Sequence, residues 1–174
     1  CLENFGGLGV NVYVFLKSDL VSALTPTEGT NKYAALTTAS FKKGKGLYKF
    51  ECQDGGQGHT WENLGYQKGF KQTLDYVLES VNADTAFVAR GLNNLKCGYI
   101  VEDGASSIIV YDKQHDFKYD SGNIKGDTGK KPEDDRTVTL SGTLQPTTYG
   151  RYEIATPEGG WDSLLNGTGT GAGE

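Results

Sequence analysis

Methionine is absent from the 174 residues, histidine occurs twice and cysteine three times. Each scarcity removes a class of function. His59 and His115 stand far apart with no metal-ligand spacing, whereas a zinc site needs several ligands together; both read as solvated loop residues. Cys1, Cys52 and Cys97 make no CxxC pair and leave one odd thiol. That argues for reduced thiols and a cytoplasmic setting, with Cys52 and Cys97 as small buried hydrophobes. The missing methionine leaves two histories for Cys1: loss of an initiator methionine, or lipidation at the first residue of a mature lipoprotein. Against the second, Leu2, Phe5 and Leu8 lead straight into a strand where a polar tether is usual. No apolar run approaches the roughly 18 residues of a membrane helix. The best, residues 10–16, is strand length. No signal-peptide pattern opens the sequence, and no membrane anchor is expected.

Catalytic signatures are missing as well. There is no GxSxG and no DxDxDG loop for calcium. Gly55, Gly56 and Gly58 resemble a phosphate loop in glycine content alone, since no Lys-Ser/Thr follows in register and no helix opens there. Asp134-Asp135-Arg136 reads as a charged strand entry with a structural ion pair, and Glu102-Asp103 as part of a turn. No catalytic residue, cofactor or metal is expected. The net charge of −5 and pI of about 5.1 exclude a protein that grips nucleic acid by its phosphates. A surface of that sign lets DNA slide past without sticking.

What is present reads as strands. The length suits one domain with a real core. Hydrophobic content of 36% with 25 glycines fits strands joined by turns better than a helical bundle. Residues 10–17 form a β-branched and aromatic run with Val10, Val12, Val14 and Leu16 on one face and Tyr13 and Phe15 on the other, so both faces are covered. Residues 18–32 are loop, 33–41 a short strand, and 42–46 a basic turn. Residues 47–52 alternate, with Tyr48, Phe50 and Cys52 on one face. Residues 53–69 hold five glycines and read as a long loop. Residues 70–80 are the clearest strand. Phe70, Leu74, Tyr76 and Leu78 face one way, and Lys71, Thr73, Asp75 and Glu79 the other, with Val77 alone breaking the wet side. The 47–52 and 70–80 strands then make a long hairpin tipped by the glycine-rich loop.

A single helix is expected over about 84–96. Asn82 or Asp84 caps it, and Lys96 suits its dipole at the far end. Phe87, Val88, Gly91, Leu92 and Leu95 form a stripe that must lie on a sheet, because three turns are not stable alone. A hairpin follows over 97–101 and 106–112 with Asp-Gly as its turn signal, then a further short strand at 117–119. Residues 122–135 read as a mobile surface loop. Residues 137–144 alternate with Val138, Leu140 and Leu144 inward, and 151–155 close the sheet with Tyr152 and Ile154 inward. The fold class is therefore mainly β: an antiparallel β-sandwich or barrel with one flanking helix and long loops and arms. Residues 1–156 form the domain with its N-terminal arm, and 157–174 a flexible C-terminal arm. Trp61, Leu64, Tyr66, Trp161 and Leu164 sit in segments that read as mobile. Aromatics are the usual anchors of protein interfaces, so these five are the candidate subunit-interface residues.

The stretches FKQTLDYVL, LNNLK leading into GYIVEDG, and DDRTVTLSGTLQPTTYGRYEI, in this order of elements, resemble the tail tube proteins of tailed bacteriophages. That fold is shared with the Hcp-like inner tubes of contractile injection systems. The wording is also similar to virion structural proteins of phages of gut Bacteroides-type bacteria, and the resemblance covers roughly residues 8–156. It implies a non-enzymatic subunit that assembles with itself into stacked hexameric rings. The rings form a virion conduit for DNA, which passes as transient, non-specific cargo, and assembly takes place in the host cytoplasm. The helix flanks a sandwich, sheets from six subunits line the channel, and residues 53–69 and the arms contact neighbouring rings or other tail and head–tail proteins. For the lumen-facing side, Lys71, Thr73, Asp75 and Glu79 come first, with residues 137–143 in competition. Other virion roles, such as capsid decoration or head–tail joining, stay open, as does a secreted or lipid-anchored pilin-like binding module.

Overall fold

Alternation along residues 11–16 sends Val12 and Val14 into one hydrophobic cluster and Tyr13 and Phe15 into another. Strand β1 (Asn11–Leu16) can satisfy both only from inside a three-layer arrangement. The computed structural model, which describes residues 9–79, 83–104 and 106–165, has that form. The remaining strands are β2 (Lys32–Tyr33), β3 (Tyr48–Glu51), β4 (Gly58–Asn63), β5 (Phe70–Glu79), β6 (Cys97–Asp103), β7 (Ser106–Val110), β8 (Ile124–Asp127), β9 (Thr137–Thr147) and β10 (Tyr152–Ile154), with one helix, α1 (Ala83–Asn94). A six-stranded sheet runs β2-β10-β7-β6-β1-β3, and a four-stranded sheet runs β4-β5-β9-β8. The protein is mainly β, two sheets with a single helix.

The first core lies between the sheets. Val12, Val14, Tyr99, Val101, Ile108 and Val110 meet Leu74, Tyr76, Leu78, Val138, Leu140 and Leu144 there, and Leu92 of α1 closes one side. Three tyrosines bring hydroxyls into this layer. Tyr119 donates to Tyr99 at 2.7 Å, so its single proton is committed, and Tyr76 must donate to Tyr119 at 2.5 Å. The chain of donors keeps buried oxygens from being left unpaired, which costs about 1–3 kcal/mol each. Gly142 has no side chain because the Phe117 ring packs on its backbone, and Gly98 yields in the same way to Phe15.

The second core covers the other face of the six-stranded sheet. Tyr13, Phe15, Ile100, Ile109, Tyr111, Tyr152 and Ile154 are roofed by Leu20, Tyr33, Leu36, Phe41 and Leu47 from the 17–47 segment and by Trp161 and Leu164. This corrects the reading of the C-terminal arm. Trp161 is 1% exposed, its indole N–H donates to Ser107 at 3.0 Å, and Leu47 N–H donates to the Leu164 carbonyl at 2.8 Å. Tyr13 adds a bond to Asp162 at 3.0 Å. Packing therefore continues through Leu165, and Trp161 and Leu164 are core residues with no surface left for a subunit interface. Residues 166–174 lie outside the described residues, as do Cys1 and Asn82.

Further expectations change. The 47–52 segment does not pair along residue 70–80: β3 joins β1, and one bridge, Cys52 to Leu78, links it to β5. Strand β5 has β9 as one neighbour, and its hairpin partner is β4, inside the stretch read as loop. Its glycines are punctuation: Gly55 at φ +79° turns the chain before β4, and Gly65 and Gly69 turn it after. Residues 122–135 contain β8, paired to β9. The helix stripe is only half used. Leu92 is buried and Val88 packs on the core, but Phe87 is 77% exposed and Leu95 half exposed. Phe87 sits 100° round the helix from Val88, and Leu95 follows the last helical residue, so neither reaches the sheet. The 33–41 strand shrinks to β2, and 117–119 contributes one bridge, Lys118 to Thr143.

Replacing Trp161 with Ala is expected to destabilise the fold by about 3–5 kcal/mol, read as a lowered urea midpoint. A change under about 1 kcal/mol would mean that the segment does not seal the second core.

Candidate functional site

The four-stranded sheet has one dry face and one wet one. Pairing sets Thr73 beside Thr143 and Thr60, Asp75 beside Ser141, Val77 beside Thr139, Glu79 beside Thr137, and Lys71 beside Glu62. Lys125 and Asp127 of β8 continue that face beside Thr139 and Thr137. The two faces in competition for the lumen are thus one surface: Lys71, Thr73, Asp75 and Glu79 share it with Thr137, Thr139, Ser141 and Thr143. Lys118 joins it through its bridge to Thr143, and the four carboxylates on the face, Glu62, Asp75, Glu79 and Asp127, outnumber the three ammonium groups of Lys71, Lys118 and Lys125. The Ser141 hydroxyl donates to Asp75, and Lys71 lies 3.8 Å from Glu62. Sequence reasoning missed Thr60, Glu62, Lys125 and Asp127. Alternation in GHTWEN was the available signal, hidden by the glycines around it.

Among the described residues no strand pairs beyond the two edges of the same sheet, β4 and β8. Six residues long, β4 carries Trp61 on its inner side. The Trp61 ring lies against Phe70 at 5.6 Å between centroids and over the backbone of Gly150, yet 54% of the residue is exposed. Leu64 is exposed, and Tyr66, in the turn after β4, is 87% exposed. Three of the five candidate interface residues therefore cluster at one end of β4. Beside them an open groove of about 860 Å³ runs between Tyr66, Phe70, Pro146, Leu24 and His115.

His59 is not a solvated loop residue. It sits on the inner side of β4, where its Nε2 lies 3.0 Å from Gln72 Oε1. Gln72 Nε2 donates to Thr147 Oγ1 at 3.2 Å and to the Tyr149 carbonyl at 3.3 Å. Its oxygen therefore accepts, and His59 carries its proton on Nε2. Burial holds the His59 pKa below its usual value, with the Arg151 charge acting in the same direction and the Gln72 bond and Asp103 opposing. His115 belongs to another structure, a turn in which its N–H donates to the Asp112 carboxylate at 2.8 Å and its carbonyl accepts from Lys17 at 2.8 Å.

Other reactive groups are spread out or silenced. Cys52 and Cys97 are free and buried, and burial pushes both thiols up to about 11, far from the thiolate a nucleophile needs. Among the described residues no group of three or more His, Cys, Asp or Glu side chains is placed to hold a metal ion, and no helix is long and apolar enough to cross a membrane. The Asp134 carboxylate accepts from the backbone N–H groups of Lys130 and Lys131 and closes the turn before β9. What this surface offers is shape, charge and, among the described residues, two sheet edges with no partner strand. No protein-family model, curated protein or solved structure matches the chain.

The His59 geometry sets a pH dependence. The fold disfavours the charged imidazole, whereas the unfolded chain takes up a proton below about pH 6.5. Its contribution to stability is full above that value and is lost as pH falls from it toward the depressed folded pKa, at up to about 1.4 kcal/mol per pH unit. Unfolding free energies at pH 7.5 and 5.5 should differ more for the native protein than for His59→Gln. Equal differences would show that His59 is protonated as readily in the fold as in water.

Proposed function

We propose that the chain is a structural subunit that assembles edge to edge, as in a phage tail tube, into a ring whose inner wall is the wet face of the four-stranded sheet. One observation carries the reading. A four-stranded antiparallel sheet has edge strands running in opposite directions, so copies placed head to tail extend it antiparallel throughout. Such a contact joins two different patches and closes into a ring when the rotation permits. With the six copies that the tail-tube resemblance implies, roughly 24 strands spaced about 4.8 Å apart give a wall near 115 Å round. That is about 37 Å across before strand tilt widens it. This is room for a DNA duplex.

The charge of the wall supports the same reading. Carboxylates outnumber lysines on the wet face, so phosphates are repelled weakly and find no run of cations to hold them. Hydroxyl-bearing Thr60, Thr73, Thr139, Ser141 and Thr143 leave the rest of the face hydrated. In this role the protein acts in the virion, with itself as its main partner and DNA as passing cargo.

Electron microscopy over a range of concentrations tests it. Rings or stacked tubes with a central hole are the expected outcome. Compact single particles at every concentration would overturn it and point to a capsid-decorating or other surface-binding protein. In assembled rings, Asp75→Lys with Glu79→Lys should leave the rings intact and make them retain DNA, in a manner reversed by raising salt from 50 to 200 mM. Unchanged DNA retention would remove the wet face from the lumen.

A further inference from the structure

The geometry points to a particular seat for each copy on the next: β4 of one chain adds to β8 of its neighbour with Glu62 opposite Lys125, and Trp61 enters the cleft between α1 and β8. This rests on the edge-to-edge reading above and goes beyond it by naming the register and the anchor.

The register follows from face and charge. Pairing must keep wet face with wet face, since a one-residue slip turns every side chain over. One allowed register sets Glu62 against Asp127, two carboxylates directly opposed, which is destabilising. Another sets Glu62 against Asn123 and Trp61 against Ile124, a branched side chain on the inner side. A third sets Glu62 against Lys125 and Thr60 against Asp127, and it places Trp61 across from Gly126. Only the third joins opposite charges and leaves space opposite the indole. Glu62 is 70% exposed at its side chain, and Lys125 and Gly126 are exposed, so all three are available to a neighbour.

The anchor follows from which side of the sheet carries what. Trp61 is level with Gln72, on the inner side of β4. Gly126 is level with Val138 and Ile124 with Leu140, on the inner side of β8. Helix α1 lies on that side, and between it and the chain leading into β8 is a cleft of about 450 Å³ lined by Ala89, Arg90, Asn93, Tyr119 and Ile124. A neighbour's Trp61 standing over Gly126 is one strand residue pair from Ile124, at the mouth of this cleft. Arg90 there offers a guanidinium to the indole face. Backbone bonds along the joined edges and burial of the indole supply affinity. The Glu62–Lys125 pair, exposed as it is, supplies register.

Charge exchange tests this directly. Glu62→Lys and Lys125→Glu should each raise the concentration at which rings form by about tenfold or more, and the double variant should bring it back near the native value. Both substitutions are at exposed positions, and unchanged thermal melting confirms the folded subunit. In a Cys1→Ser background, Glu62→Cys with Lys125→Cys should give a ladder of covalent oligomers on mild oxidation. Tryptophan emission should shift to the blue on assembly and fail to do so in Trp61→Phe, Trp161 being buried throughout. Native rings with single variants that assemble normally and no covalent ladder would overturn the register while leaving the tube reading in place. A native protein that never assembles would overturn both.

Discussion

The six-stranded sheet is buried on both faces, and that condition dictates where the rest of the chain goes. Its inner strands place apolar side chains alternately above and below: Val12 and Val14 against Tyr13 and Phe15, Ile108 and Val110 against Ile109 and Tyr111. Each fully buried side chain of this size is worth about 1.5–3 kcal/mol, so neither face can stay wet. One is closed by the four-stranded sheet. The other is closed by irregular chain, the 17–47 segment and residues 157–165, which contributes no further sheet but brings Leu36, Phe41, Leu47 and Trp161. The four-stranded sheet, being the outermost layer, needs a dry side only, and so its other side is free to carry charge and hydroxyls.

Much of this was legible from the sequence where period-2 alternation runs over many residues. Strand β5 declared its dry and wet faces because Leu74, Tyr76 and Leu78 alternate with Thr73, Asp75 and Glu79, and β9 did the same. The double covering of β1 was legible because both of its faces are apolar. The helix was found by its spacing, although its stripe was read too wide. Leu95 belongs to the stripe in sequence but follows the end of the helix in space, and Phe87 lies a full residue's rotation from the covered side.

The illegible parts share a cause: glycine and charge hide short strands. In GHTWEN the alternation is complete, but Gly55, Gly56, Gly58, Gly65 and Gly69 crowd the window and lower its apolar content. Edge strands are also half wet by nature, so β8, with Lys125, Gly126 and Asp127, looks like a loop. Pairing partners were the second failure. Strands β3 and β5 both formed, and joining them was the shortest topology, yet Tyr48, Lys49, Phe50 and Glu51 run beside β1. Trp161 was misplaced for a third reason. A short apolar group after two glycines, at 159 and 160, looks the same in sequence whether it docks on its own chain or on another.

The edges of the four-stranded sheet carry the functional argument, because they are guarded unequally. Exposed edges invite indiscriminate pairing, and proteins blunt them with short strands, lysines, prolines or bulges. The six-stranded sheet follows that practice: β2 is two residues long, and β3 is flanked by the Leu47–Leu165 bridge. In β8 a four-residue strand with an exposed lysine is guarded too. By contrast β4 is six residues long, contains neither lysine nor proline, and presents a half-exposed tryptophan at the end where Leu64 and Tyr66 also stand out. Such an edge is an aggregation hazard in a protein that works alone. It becomes specific when its complement is guarded by charge: a carboxylate on the open edge and an ammonium group on the short one admit one register and penalise the slip that opposes Glu62 to Asp127. In the proposed ring, an open edge paired with a charged, glycine-bearing one on the opposite side of the same sheet would make a contact that a copy forms with the next copy but not with itself, and that asymmetry would let the contact propagate.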